Sequence, residues 1–281
     1  MCNKVKKMKN KNKIKNTSRL HLIDEYRGFV VLNMIAYHAI WDLVYLFGCD
    51  WNWYKSDIGF LWQQWICQSF IFVSGFCWQM GKRHWKRGIQ IYVCGMIISL
   101  ATLIAMPQSQ VIFGVLTLIG SSMLLMIALD VVFQKCHSVL GLIGSYLLFH
   151  FTYHVNRGYL EFGEQKQILL PRSWYSNMFT TYLGFPKAGF FSTDYFSLIP
   201  WIFLFITGYF AYSVLYHYGK YYFPLKTENV WNKQNLQIKS RIIKILKKSI
   251  CPFFGWIGRN SLVLYMLHQP IIYGVLVVIL G

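Results

Sequence analysis

The chain has 281 residues, of which 55% are hydrophobic and only 14% are charged, whereas soluble domains carry about a quarter charged residues. This composition excludes an ordinary soluble globular fold and favours repeated passage through a lipid bilayer, which takes about 20 apolar residues per crossing. The net charge of +18 does not indicate nucleic-acid binding, because the basic residues lie in short runs between apolar segments, as they do on the cytoplasmic side of membrane proteins.

The chain starts with a basic tail. Residues 1–19 contain eight Lys or Arg within a Lys- and Asn-rich stretch, and we expect this tail to be disordered and held near anionic headgroups. The first apolar run begins at Gly28 and contains His38 and Asp42. Its length of about 20 residues, after a long polar stretch, indicates a retained membrane span rather than a cleaved signal peptide.

Apolar segments of membrane-spanning length recur along the rest of the chain. They predict an all-α fold, a polytopic membrane helix bundle of about seven transmembrane helices, with residues 20–281 forming a single transmembrane domain. The predicted spans are 28–48, 59–80, 89–106, 111–133, 138–155, 195–217 and 261–281.

The charges between these spans predict an orientation. If the N-terminus is cytoplasmic, the inside segments hold 23 Lys or Arg and the outside segments hold five. Because basic residues concentrate in cytoplasmic loops, we expect the N-terminus inside and the C-terminus outside.

Two segments between the spans have features of their own. Residues 236–250 place isoleucine and leucine on one helical face and lysines on most of the other. This pattern predicts a basic amphipathic helix in the cytoplasmic interface, with a ligand site as the alternative. The outer loop 156–194 is rich in Gly, Tyr, Phe and Pro and too long for a simple connection, so we expect it to cap or shape a binding cavity.

Ionisable residues inside a span are costly and point to function. Asp42 follows His38 by four residues, which places both on one helical face. A carboxylate there can orient the imidazole and favour its action as a proton acceptor. The alternative is a buried polar pair that only holds helices together.

A second membrane histidine lies in the last span. His268 is eight residues beyond Asn260, and His38 is ten residues beyond Gly28, so both lie at a depth of about 12–15 Å from the cytoplasmic edge. They can line one cavity if their helices are neighbours, although a lone membrane histidine also serves as a helix–helix hydrogen bonder. The sequence has no Walker A loop, no G-x-S-x-G elbow and no H-E-x-x-H motif, so we expect no direct ATP use, no serine hydrolysis and no metal.

A series of short motifs covers most of the chain. In order, the motifs are 19–28, 41–43, 70–75, 83–88, 112–120, 184–186, 192–201, 255–261 and 267–270. This series resembles the heparan-α-glucosaminide N-acetyltransferase catalytic-domain family over residues 19 to about 280, in its bacterial-type form. One departure is Thr117, where the family motif often has His.

The resemblance implies an integral membrane acyltransferase of a bacterial-type cell membrane. Such an enzyme moves an acetyl group from cytoplasmic acetyl-CoA to a sugar amine or hydroxyl of a glycan, so the expected partners are the bilayer, acyl-CoA, a glycan acceptor and, as a further option, a second copy in a homodimer. The implied residues are His38, Asp42 and His268 for catalysis, Arg27, Arg83, Arg87 and Arg259 for the CoA phosphates, and Asp194, Asn260 and Gln269 for the acceptor.

Other interpretations of the same residues remain open. Each arginine can serve only as a cytoplasmic anchor, and Asp194 can be a helix N-terminal acid. A small transporter that uses His38, Asp42 and His268 as a proton relay is the main rival function. A non-enzymatic membrane scaffold is the remaining alternative function, and such a protein would tolerate substitution at His38 and Asp42.

Overall fold

The computed structural model describes residues 19–162, 166–217 and 241–280. These residues form two compact units. The terminal unit consists of the described residues 19–54 and 241–280, and the central unit consists of 55–162 and 166–217. The predicted basic tail lies outside the described residues except for Arg19, as do positions 236–240 of the predicted amphipathic helix.

Long helices dominate both units, which confirms the predicted all-α class. In chain order the helices are α1 (His21–Tyr45), α2 (Asp57–Trp78), α3 (His84–Ala105), α4 (Val115–Phe133), α5 (Ser138–Phe151), α6 (Met178–Leu183), α7 (Leu198–His217), α8 (Pro252–Arg259) and α9 (Ser261–Leu280). Residues 241–247 are also helical, and Ile242 and Ile245 are exposed there.

Six helices in the described part of the chain are long and apolar enough to cross a membrane. They are α1, α3, α4, α7, α9, and α5 together with the turn that follows it to Arg157. Helix α2 covers the remaining predicted span and has 22 residues, but three glutamines lower its mean hydropathy. A polytopic membrane bundle is therefore confirmed, and the seventh crossing, by α2, stays a prediction.

The terminal unit is built on a close crossing of α1 and α8. A Cβ atom added at Gly28 would lie 1.9 Å from the Phe254 carbonyl oxygen, and one added at Gly258 would lie 1.8 Å from the Asp24 carbonyl oxygen. Only glycine permits this backbone contact. The buried Glu25 carboxylate accepts hydrogen bonds from the Ser249 hydroxyl (2.5 Å) and from the backbone N–H group of the next residue (3.0 Å), which fixes the chain as it enters α8.

Glycine contacts of the same kind pack the helices of the central unit. Gly75 on α2 approaches the Phe205 carbonyl oxygen on α7, and Gly120 on α4 approaches the backbone of Tyr92 on α3. Helix α5 packs against α7, where a hydrogen bond of 3.0 Å joins the Ser145 and Thr207 hydroxyls. Small residues at these contacts let helices approach closely where lipid offers no hydrophobic drive for association.

The predicted outer loop is folded. It contains 3₁₀ turns at Val155–Arg157 and Arg172–Trp174, an antiparallel hairpin of β1 (Tyr159–Phe162) and β2 (Lys166–Leu169), and the short helix α6. Helix α6 begins with a reciprocal capping pair, in which the Asn177 side chain and Thr180 bond to each other's backbone. The loop positions side chains along one wall of a cavity in the central unit.

Candidate functional site

The two membrane histidines meet in the terminal unit. The ring of His38 on α1 and the ring of His268 on α9 have centroids 4.9 Å apart and are tilted by 59°. His268 is only 9% exposed, and His38 is partly buried. The structure thus brings together two residues that are 230 positions apart in the chain.

The orientation of His268 is fixed by its own helix. Its Nδ1 lies 2.6 Å from the Tyr265 carbonyl oxygen, and because a carbonyl can only accept, Nδ1 carries the hydrogen. In the neutral ring Nε2 is then the basic nitrogen. This atom is buried and has no hydrogen-bond partner among the described residues, so it is available to a bound molecule.

Asp42 lies at the same site, but its partner is Gln269. The Gln269 Nε2 group donates to Asp42 Oδ1 at 2.7 Å, and Asp42 is fully buried. In the described part of the chain no hydrogen bond joins Asp42 to His38, so the carboxylate does not orient the imidazole as the helical spacing predicts. The shared helix face places the two residues together, but the amide from α9 decides where the carboxylate points.

Two further polar atoms of this site are unsatisfied. Asp42 Oδ2 and Gln269 Oε1 are buried, and no described residue donates to either atom. A buried acceptor without a donor is costly in an apolar environment. Together with His268 Nε2, these atoms form a set of three buried acceptors from two helices, which we call the acceptor cluster.

Aromatic side chains flank the acceptor cluster. The Tyr54 ring packs on the Tyr37 ring with centroids 5.0 Å apart, and the buried Tyr54 hydroxyl donates to the Tyr37 carbonyl oxygen. Tyr37 in turn meets His38 edge to face at 5.9 Å. The turn that contains Tyr54 therefore helps to exclude water from this end of α1.

The four arginines implied for CoA belong to different units. Arg27 and Arg259 are the residues next to Gly28 and Gly258, so the crossing of α1 and α8 places both at one end of the terminal unit. Arg27 lies 4.0 Å from an Asp24 carboxylate oxygen, whereas Arg259 is exposed and forms no ion pair with a described residue. In the central unit, Arg83 and Arg87 are exposed at the start of α3.

Asp194 and Asn260 both have structural partners. In the central unit, burial raises the pKa of Asp194 to about 6, while a hydrogen bond from the Val115 backbone N–H at the start of α4 acts in the opposite direction. In the terminal unit, the Asn260 side-chain nitrogen donates to the Trp256 carbonyl oxygen at 2.9 Å. The Asn260 side-chain oxygen and the second hydrogen of its NH₂ group are then left for a ligand.

Comparison with known proteins decides the family. The model of the catalytic domain of heparan-alpha-glucosaminide N-acetyltransferase matches residues 19–270. The chain belongs to this family. Among curated proteins and among solved structures, none matches the chain.

Membership of the heparan-alpha-glucosaminide N-acetyltransferase family makes the chain a membrane acetyltransferase by class. Together with the six apolar helices, it establishes an integral, multi-pass membrane protein. At Thr117, the departure from the family motif, the buried hydroxyl donates to the Gly114 carbonyl oxygen at 2.6 Å. This position of α4 therefore holds a hydroxyl that is bonded to the backbone of its own helix, in place of an imidazole.

Several site residues were missed by the sequence analysis. The bond from Gln269 to Asp42 and the role of the Tyr265 carbonyl depend on contacts that no local pattern encodes. Gln64 and Asn156, which line the cavity that also holds Asp194, had a weak signal. Gln64 is a polar residue inside a predicted span, and such residues are candidates for ligand contact.

Proposed function

We propose that the protein transfers the acetyl group of acetyl-CoA to a hydroxyl or amine of a glycan, with His268 and His38 at the reacting centre. The observation that carries this proposal is the unpartnered Nε2 of His268, which is buried beside His38 while its Nδ1 is held by Tyr265. A neutral imidazole with one fixed tautomer is suited to accept a proton.

The chemistry is a single acyl transfer with balanced protons. The oxygen or nitrogen of the acceptor forms a bond to the acetyl carbon. At the same time, His268 Nε2 takes the proton that this acceptor atom loses. The carbon–sulfur bond of the thioester breaks, and the CoA thiolate leaves with a proton returned by the histidine pair. Asp42 Oδ2 and Gln269 Oε1 then accept hydrogen bonds from the substrates, since no described residue supplies these bonds.

The cationic residues fit the donor. CoA carries phosphates, and arginine binds phosphate through paired, charge-assisted hydrogen bonds. Arg259 is exposed and unpaired within the described residues, so it is the best candidate of the terminal unit, with Arg27 beside it. Arg83 and Arg87 add a second exposed basic site at the start of α3. Acetyl-CoA then enters from the cytoplasm of a bacterial-type cell, consistent with an N-terminus inside and a C-terminus outside.

Three other polar residues are proposed to bind the glycan acceptor. Asp194 is an acid at the wall of a cavity, and Asn260 retains a free acceptor oxygen. A glycan hydroxyl or amine can donate to either group. Gln269 completes this set within the terminal unit.

The test uses the full-length protein purified in detergent. Radiolabelled acetyl-CoA is mixed with glucosamine disaccharide as the amine acceptor and cellobiose as the hydroxyl acceptor, and labelled product is separated by chromatography. The proposal expects labelled saccharide that depends on protein and on acetyl-CoA. Absence of product with both acceptors, together with proton-coupled solute uptake by proteoliposomes without acetyl-CoA, would instead support the transporter.

A further inference from the structure

A short helical segment, 241–247, precedes α8 in the terminal unit. Successive residues of an α-helix are about 100° apart, so the apolar residues of this segment fall within an arc of about 160° and the basic residues within an opposite arc of about 120°. The apolar residues are Ile242, Ile243, Ile245 and Leu246, and the basic residues are Arg241, Lys244 and Lys247. The segment is therefore amphipathic, as the sequence pattern predicts.

Both faces of this segment are open to the surroundings. Ile245 is 58% exposed and Ile242 is 40% exposed, whereas isoleucine gains free energy when it is removed from water. The basic side chains are also exposed, and no described acidic residue forms an ion pair with them. A helix that exposes apolar and cationic faces together has the surface of a helix that lies on an anionic bilayer.

Helix α8 continues the same surface. Gly255, Ile257 and Gly258 are buried on one side of α8, and Gly258 packs on the backbone of α1. The other side carries Phe253 and Trp256, which are 61% and 54% exposed. Because tryptophan is enriched where a membrane meets water, this exposed side of α8 fits the same boundary as the helical segment before it.

The linker between the two helices is held to α1. The buried Glu25 carboxylate accepts hydrogen bonds from the Ser249 hydroxyl and from the Ile250 backbone N–H group. Glu25 lies one helical turn before Gly28, the residue at which the first predicted span begins and at which α8 crosses α1. Both short helices are thus attached to α1 at the predicted edge of the membrane core, which is the level of the lipid headgroups.

The charge of this part of the chain has one sign. Residues 241–259 contain five Lys or Arg and no Asp or Glu. Clusters of this size beside a membrane span bind anionic phospholipids, and each basic residue strengthens the binding by up to about fivefold. A soluble phosphate would satisfy the cations but would leave Ile245 and Trp256 exposed to water. The apolar residues therefore favour a lipid over a soluble anion.

We propose that residues 241–258 form a docking surface for anionic phospholipid in the leaflet on the side of the N-terminus. Ile242 and Ile245 enter the headgroup boundary together with the aromatic rings of α8, and Lys244 and Lys247 bind lipid phosphates beside them. Arg259 is left out of this surface, because it is proposed for the CoA phosphates. The docking surface does not depend on acetyl transfer, and it gives a partner to a segment that the proposed function does not use.

Site-specific photocrosslinking of the full-length protein tests the docking surface. The photoreactive amino acid p-benzoylphenylalanine is introduced in place of Ile245, and the protein is placed in nanodiscs of equal amounts of phosphatidylglycerol and phosphatidylcholine. After irradiation, mass spectrometry counts the adducts of each lipid. The same label in place of Ile97, an exposed residue of α3 without charged sequence neighbours, reports contact with lipid away from the cations.

The docking surface predicts lipid adducts at position 245 that favour phosphatidylglycerol, and adducts at position 97 in the ratio of the two lipids. Lys244→Gln combined with Lys247→Gln should lower the preference at position 245 severalfold, because each cation contributes up to about fivefold. The matched control is Lys55→Gln combined with Lys187→Gln, two exposed lysines of the central unit. This pair removes the same charge and should leave the preference unchanged.

Three results would overturn the proposal. The first is the absence of lipid adducts at position 245, or adducts there in the same ratio as at position 97. The second is an equal loss of preference in both pairs of lysine variants, which would assign the effect to net charge. The third is the loss of lipid adducts at position 245 when acetyl-CoA is added, which would make the surface part of the donor site.

Discussion

The central feature at the residue scale is the acceptor cluster, in which His268 Nε2, Asp42 Oδ2 and Gln269 Oε1 are buried and without donors among the described residues. Native proteins pair nearly all buried polar atoms. A concentration of unpaired acceptors around two histidines in one unit is therefore what the proposed function expects of a site that a ligand completes. Helix packing alone would favour apolar side chains at these positions.

The bond from Gln269 to Asp42 predicts a specific pattern of stability. Gln269→Leu removes the only described donor to a fully buried carboxylate, so it should lower the free energy of unfolding by about 1.5–3 kcal/mol. Asp42→Asn in the Gln269→Leu background removes the uncompensated charge and should recover part of this loss. Thermal unfolding in detergent of the two single variants and the double variant measures the coupling. Strictly additive effects would show that the two side chains do not interact.

The raised pKa of Asp194 should make the stability of the protein depend on pH. Its pKa in the folded protein is about 6, above the value of about 3.9 for a solvated aspartate, so folding favours the protonated acid. The resulting stabilisation is fully present below about pH 4 and is lost as the pH rises through 6. Relative to the wild type, Asp194→Asn should therefore raise the unfolding temperature at pH 7.5 more than at pH 4.5. An equal difference at both pH values would contradict the assignment.

At the scale of elements, glycine contacts decide how closely helices approach. The crossing of α1 and α8 depends on Gly28 and Gly258, and it places Arg27 and Arg259 at one end of the terminal unit. In the sequence these glycines lie within the segments 19–28 and 255–261, which resemble family motifs. Their physical role is the backbone contact, which only the folded structure reveals.

Gly258→Ala should destabilise the terminal unit. The new Cβ would lie 1.8 Å from the Asp24 carbonyl oxygen, so the helices must separate, at a cost of about 1–3 kcal/mol as in other overpacked contacts. Gly274→Ala on α9 is the matched control, since a Cβ there has nothing within 4 Å, and alanine favours a helix over glycine by roughly 1 kcal/mol. Thermal unfolding in detergent compares the two. A Gly258→Ala protein as stable as the wild type would show that α1 and α8 do not cross in this way.

The outer loop shows the limit of prediction at this scale. Length and composition indicated a structured loop, but nothing in the pattern of residues 159–169 indicated a β-hairpin within an otherwise helical chain. The strands are four residues each, too short for a clear alternation of apolar and polar residues. Their place at the cavity depends on His154 and Glu161, a contact that depends on the fold.

For the whole molecule, hydropathy predicted the architecture because a bilayer demands long apolar helices with internally satisfied backbones. The meeting of His38 and His268 followed in part from equal depth along two helices. The bond between Asp42 and Gln269 joins residues 227 positions apart, so the helical spacing that paired Asp42 with His38 could not reveal it. The cavity of the central unit was equally hidden, since its walls come from three separate segments.

The orientation in the membrane rests on charge. The inside segments hold 23 Lys or Arg and the outside segments hold five, which predicts a cytoplasmic N-terminus. The family match over residues 19–270 extends across nearly all predicted spans. Both observations draw on residues of both units, whereas the acceptor cluster lies in the terminal unit alone. The function therefore has to be measured on the full-length protein.

The most direct measurement is the rate of acetyl transfer from labelled acetyl-CoA to saccharide by the purified, full-length wild type, His268→Ala and His150→Ala. His150 is an exposed histidine on α5 in the central unit, so it controls for the loss of a membrane imidazole. Removal of a general base lowers rates by roughly 10²–10⁴-fold. We predict a loss of this size per folded molecule in His268→Ala, with the folded fraction of each variant taken from its thermal unfolding, and a wild-type rate in His150→Ala. A wild-type rate in His268→Ala would contradict the account.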